Sequence, residues 1–123
     1  MNILIVFAFL LLAAAPAFGE ELALRSIRYD EVANPGTELA FFVRADNIGT
    51  NDIERLRLKV FSHDLPELFG ISRQYELLEG DTVSYGLPAY LPAHVEPGEY
   101  LITFVLTDGD DIERRYHRIL YVR

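Results

Sequence analysis

The sequence predicts an all-β chain, a seven-stranded antiparallel β-sandwich preceded by a hydrophobic export segment. Three observations carry this. Apolar residues beyond Glu21 alternate with polar ones in short runs, Gly, Pro, Asn and Asp separate the runs, and no long stretch keeps a helical period. The chain has 123 residues, which allows one domain.

The first element is the export segment. An unbroken apolar run from Ile3 to Ala15 meets Pro16, and Ala17 and Gly19 are small residues placed for a cut before Glu20. Residues 1–19 read as a cleaved signal peptide and 20–123 as the domain. The other reading is a retained anchor, but the run falls short of the roughly 20 residues a membrane span needs.

The seven runs follow. "LALRSIRYD" carries Leu22 and Leu24, then Ile27 and Tyr29, and the slip of phase predicts a bulge. "NPG" at 34–36 is a turn. "ELAFFVRA" puts Leu39, Phe41, Val43 and Ala45 on one face. "RLRLKVF" puts Leu56, Leu58 and Val60 on one face and Arg55, Arg57 and Lys59 on the other. "NDIERLRLKVF" also fits a helix start, with Asn51 as cap and Glu54 three residues on. Strand is preferred because the run is short, lacks Ala and lies among other strands. "HDLPELFG" at 63–70 holds one helical turn, capped by Asp64 and ended by Gly70. "ISRQYELL" is the fourth run. "TVSYGLPAYLP" is the fifth, with Pro88 marking an edge strand or a position whose N–H would face away from the ladder. "EYLITFVLT" is the sixth, "DG" at 108–109 signals a two-residue hairpin, and "DIERRYHRILYV" closes the chain with Leu120 and Val122 inward.

Composition excludes several classes. The net charge of −8 opposes nonspecific nucleic-acid binding, which needs basic phosphate contacts, and adsorption to anionic lipid. The absence of Cys excludes a disulfide scaffold, thiol nucleophiles and Cys-based zinc sites. Ser26, Ser62, Ser72 and Ser84 lie in no nucleophile-elbow context, and no Gly-rich phosphate loop occurs. No catalytic residues are assigned.

The order Pro35-Gly36, Asn47-Ile48-Gly49, alternating Leu56/Leu58/Val60 and Pro97-Gly98-Glu99-Tyr100 resembles the secreted immunoglobulin-like modules of prokaryotes, of the CARDB cell-adhesion type and the archaeal S-layer-associated type. The resemblance covers most of residues 27–122. It lacks the Cys pair and buried Trp of antibody-type domains. It implies an immunoglobulin-like sandwich in which Gly49 takes positive φ, Asn47 and Asn51 bond neighbouring backbone, and Tyr100 acts as a tyrosine corner.

In such a sandwich the loops carrying Asp46 and Asp52, Glu79 and Asp81, and Asp108, Asp110 and Asp111 share one end. Calcium takes six to eight oxygen ligands, which this tip offers. Asp is also a favoured turn residue, so a solvated acidic tip is preferred and no cofactor is assigned. Arg55, Arg57 and Lys59, with Arg114, Arg115 and Arg118 nearby, form a basic outer face or pair locally with acidic neighbours. His63, His94 and His117 lack metal spacing. Phe42 and Phe61 fall on the outward phase, with Tyr90 and Tyr121 as further candidates.

The expectation is an exported, non-enzymatic cell-surface module for adhesion or architecture. It binds another protein or copies of itself at the envelope, binds no nucleic acid, and touches membrane only through residues 3–19 if uncleaved. The contact candidates are Arg55, Arg57, Lys59, Phe42, Phe61, Asp108, Asp110 and Asp111. The alternative is a calcium- or carbohydrate-binding sandwich.

Overall fold

The computed structural model describes residues 22–109 and 112–123. The export segment and the Asp110–Asp111 pair lie outside the described residues. Alternating patterns become strands: β1 (Leu22–Arg28), β2 (Val32–Ala33), β3 (Glu38–Asn47), β4 (Ile53–Phe61), β5 (Phe69–Ile71), β6 (Tyr75–Leu77), β7 (Thr82–Tyr90), β8 (Gly98–Asp108) and β9 (Ile112–Val122). They form two sheets. One is three-stranded, in the order β1-β3-β7; the other runs β2-β9-β8-β4-β5, with β6 also on β4.

This corrects the count of seven and the wholly antiparallel arrangement. The chain leaves the first sheet after β1, and the two residues of β2 join the second sheet parallel to β9. Two residues are too few to show an alternation, so the sequence hides this crossing. The fourth run divides into β5 and β6 because of Ser72. Its N–H donates to Leu58 O at 2.8 Å. Its hydroxyl accepts the Leu58 N–H at 2.9 Å and donates to Arg73 O at 2.9 Å. A side chain thus stands in for a ladder partner and interrupts the strand.

No helix occurs among the described residues. The helical phase of 53–60 comes from a register shift between Ile53 and Leu56, which leaves both buried three residues apart. The helical turn expected at 63–70 is a turn closed by Leu68 N–H donating to Leu65 O at 3.0 Å. Gly70 does not end a helix; it lies in β5, where a Cβ would come within 3.1 Å of Leu87 and of the Pro88 carbonyl in the other sheet. The β1 bulge falls between Leu24 and Ser26. Pro88 lies in β7, at the edge of its sheet. The "DG" hairpin forms, but pairing of Asp108 with Ile112 leaves three residues in the turn.

The core lies between the sheets. Phe41 and Phe104 are fully buried and meet edge-on at 5.5 Å, with Tyr29 beside both. Burying each such side chain stabilises by roughly 1.5–3 kcal/mol. Tyr85 reaches across to donate to Leu56 O at 3.1 Å, and burial pushes its hydroxyl well above the usual phenol range. Tyr100 donates to Glu96 O at 2.6 Å, the tyrosine corner that the resemblance implied.

Candidate functional site

The acidic tip is held by one buried asparagine. Asn47 is 1% exposed at the end of β3. Its Nδ2 donates to Asn51 O at 2.8 Å and Leu77 O at 3.0 Å, and its Oδ1 accepts the Gly49 N–H at 3.0 Å. Its backbone N–H donates to Asp81 O, and its carbonyl accepts from Gly80 N–H. One residue therefore ties the loop after β3 to the loop before β7. Gly49 closes this turn without a positive φ, contrary to expectation; Gly36 and Gly80 are in the left-handed region. The side-chain bond from Asn47 bends the chain where left-handed backbone was expected to do so.

The tip carboxylates act as acceptors within this frame. Asp52 accepts Glu79 N–H at 2.9 Å, and Asp108 accepts Arg55 N–H at 3.0 Å. Asp46 accepts the Thr82 hydroxyl at 2.6 Å and pairs with Arg25. The Thr82 hydroxyl, then Arg25, hold the Asp46 carboxyl below its ordinary range. Among the described residues no three His, Cys, Asp or Glu side chains gather to hold a metal ion. His94 faces Glu67 at 3.5 Å and His63 lies edge-on to Phe61, so the two histidines serve separate contacts.

The strongest surface feature is the outer face of the six-stranded sheet. Cross-strand register sets its rows. Arg57, Thr107 and Glu113 form the row nearest the acidic tip. Next come Ile71, Lys59, Val105 and Arg115, then Phe69, Phe61, Thr103 and His117. Leu101 pairs with Ile119, and Glu99 with Tyr121 and Val32 at the far end. Of ten exposed large apolar side chains among the described residues, six lie here: Val32, Phe69, Ile71, Leu101, Ile119 and Tyr121, each 41–49% exposed. Val105, at 3% exposure, is buried on this face and stands apart from the main core cluster. The face is thus apolar along much of its length, with Arg57, Lys59 and Arg115 toward one end and Glu99 at the other.

The expected contact residues divide across the molecule. Arg57, Lys59 and Phe61 belong to this face, with Phe61 half-buried against His63. Arg55 lies at its end, its guanidinium over Gly109 in the space a Cβ would take. Asp108 is at the tip, while Asp110 and Asp111 lie outside the described residues. Phe42 is on the opposite outer face, so it shares no surface with Phe61. There its ring covers Gly86, and Arg28 stands 5.7 Å over it. The basic patch is smaller than expected, since Arg114 and Arg118 pair with the inward Leu106 and Ile102 and only Arg115 joins Arg57 and Lys59.

Sequence reasoning missed Phe69, Ile71, Leu101, Ile119 and Val32. A signal was present: "LITFVL" at 101–106 is apolar in both phases, as a strand covered on both faces would be.

Two shallow open clefts lie among the described residues. One, of about 340 Å³, lies between the 64–67 turn and the 92–96 loop. The other, of about 450 Å³, lies beside Phe42 with Ser26, Arg44 and Ser84. Neither gathers a nucleophile with a base.

No family model matches the chain, and no curated protein matches it. Solved structures do. A FixG-related protein from Vibrio parahaemolyticus is 14% identical with a TM-score of 0.63, over 85% of this chain and 98% of that one. A CARDB domain from Pyrococcus furiosus, in complex with di-metal ions, is 13% identical with a TM-score of 0.57, over 85% and 91%. Native alpha-2-macroglobulin from E. coli is 14% identical with a TM-score of 0.62, over 84% of this chain and 7% of that one. At these identities the likeness shows the fold alone, an immunoglobulin-like β-sandwich.

Proposed function

We propose that the chain is an exported, non-enzymatic β-sandwich that acts at the cell surface by binding another protein. The outer face of the six-stranded sheet is the contact surface. The observation that supports this reading is the grouping of Val32, Phe69, Ile71, Leu101, Ile119 and Tyr121 on that one face. Burying apolar side chains between rigid strands is the usual source of protein–protein affinity, and charge at the rim sets orientation. Export rests on the pattern of residues 1–19.

A photo-crosslinking residue at position 101, in cells, tests the contact. A protein adduct of defined mass at 101, absent when the residue is placed at 42, is expected. Equal labelling at both positions, or none at 101, overturns the reading. The intact mass of the recovered chain, starting at Glu20, tests export.

A calcium-binding tip is the second reading, suggested by the metal-bound CARDB neighbour. It is less favoured because Asp46, Asp52 and Asp108 already accept internal hydrogen bonds. A calcium-dependent rise in melting temperature, lost in Asp108→Asn with Asp110→Asn, would restore it.

A further inference from the structure

The rows on the outer face of the six-stranded sheet are self-complementary. Basic Arg57 and Lys59 lie toward the tip, apolar residues fill the middle, and Glu99 lies at the far end. Among the described residues, Arg57, Lys59 and Glu99 have no ion-pair partner. We propose that this face receives the same face of a second copy, related by a two-fold axis lying between the faces and perpendicular to the strands. The proposal rests on the protein-binding reading and names the partner.

The geometry of this operation is determined by the register. The axis reverses strand direction and keeps strand order, so each strand lies over its own copy. The row of Phe69, Phe61 and Thr103 is the midpoint between the rows of Arg57 and Glu99, so it meets itself. Leu101 then lies over Val105 of the second copy, two rows away on the same strand β8. Ile119 lies over the aliphatic stem of Arg115. Glu99 arrives over Thr107, between Arg57 on β4, which has no ion-pair partner among the described residues, and Glu113 on β9, which is already paired with Arg115 at 2.9 Å. The central apolar rows on β8 and β9 meet apolar side chains or stems, Tyr121 arrives over Glu113, Val32 and Ile71 lie beyond the overlap of their own short strands, and each Glu99–Arg57 pairing occurs twice. The other two-fold arrangement, with its axis along β8, would exchange β4 with β9, laying Lys59 over Arg115 and Glu99 over Glu99, with only Arg57 meeting an opposite charge, Glu113.

The area suits a weak association. Strand spacing and rise give a face of about 20 Å by 27 Å. Under this axis β8 and β9 overlap along their length and β4 and β5 only in the central row, so the two faces bury roughly 800 Å², below the size of a stable specific interface and in the range of weak, transient contacts. A weak, concentration-dependent dimer follows, with affinity set by the central apolar rows and register set by the charges at their ends.

The test is sedimentation equilibrium of the full chain, recovered from expressing cells, from low micromolar to near-millimolar concentration. Wild type is expected to dimerise. Leu101→Arg should weaken the dimer at least tenfold. Glu99→Arg and Arg57→Glu should each weaken it about tenfold, and the two together should restore it. All three side chains are outward, so melting temperatures confirm that the variants fold. A dimer indifferent to Leu101→Arg overturns the surface. A dimer that Leu101→Arg disrupts but the charge swap does not restore overturns the two-fold register. A chain monomeric throughout, yet crosslinked through position 101 to a different protein, overturns the second copy and leaves the protein-binding reading standing. A monomer with no adduct at 101 overturns both.

Discussion

The two outer faces of the sandwich treat exposed apolar groups differently. On the three-stranded sheet, Phe42 is 47% exposed but lies over Gly86, directly paired with it, and beneath Arg28. Its neighbours across the sheet, Ser26, Arg44 and Ser84, are polar. The ring is thus served within its own sheet, where it covers a glycine that would otherwise bare its backbone. On the six-stranded sheet, Leu101 and Ile119 are similarly exposed, but they pair with each other and extend an apolar row. Exposure alone does not separate the two cases. The neighbours do, and an exposed aromatic is a site only where other apolar groups continue it.

The comparison predicts that substitutions on one face change association and those on the other change stability. The largest effect should come from the joint that lies on neither face. Asn47→Ala leaves backbone groups at Gly49, Asn51 and Leu77 without a partner and should cost about 3 kcal/mol or more in denaturant unfolding. This sets the scale for a purely structural change. Next, Leu101→Arg with Ile119→Arg should lower association roughly a hundredfold by sedimentation, equivalent to about 2.7 kcal/mol, with the unfolding midpoint little changed. A large loss of stability in that variant would make the face structural and break the comparison.

Phe42→Ala should behave in the opposite sense, costing about 1 kcal/mol of stability through the lost cover of Gly86 and the lost Arg28 contact, with association unchanged. The smallest effect concerns Asp46. Its carboxyl is held below its ordinary range in the folded chain, so the stabilisation is present above the ordinary carboxylate value and is lost as pH falls through the folded value. Thr82→Val should therefore unfold at lower denaturant than wild type at neutral pH. The gap should narrow in acid. A gap independent of pH would assign the Thr82 effect to packing.

Part of the candidate site was legible in the sequence. Arg57, Lys59 and Phe61 follow directly from alternation in "RLRLKVF", because inward Leu58 and Val60 force their neighbours outward. Leu101 and Ile119 alternate with inward Ile102 and Leu120 in the same way. They went unread as a pair because their adjacency depends on the β8–β9 register, which aligns residues 18 positions apart. Phe69 and Ile71 depended on β5 ending at Ser72, an interruption made by a hydroxyl that reaches Leu58 across the sheet. The placing of Phe42 and Phe61 on opposite sides followed from sheet assignment, which a period of two cannot express.

The sequence by itself determined the class of fold, the inward set of each long strand, the restriction of Pro88 to an edge or to a position with its nitrogen off the ladder, and the corner at Tyr100. Each is a local matter: side chains alternate, proline lacks a donor, and a tyrosine hydroxyl reaches a carbonyl four residues back. Tertiary structure alone decided the crossing of β2 to the second sheet, the division of β5 from β6, and the burial of Asn47 as the tie between two loops. It alone also gathered six scattered apolar side chains on one face. Those outcomes depend on pairing between segments distant in the chain, and the pairing is selected by the packing of the whole core.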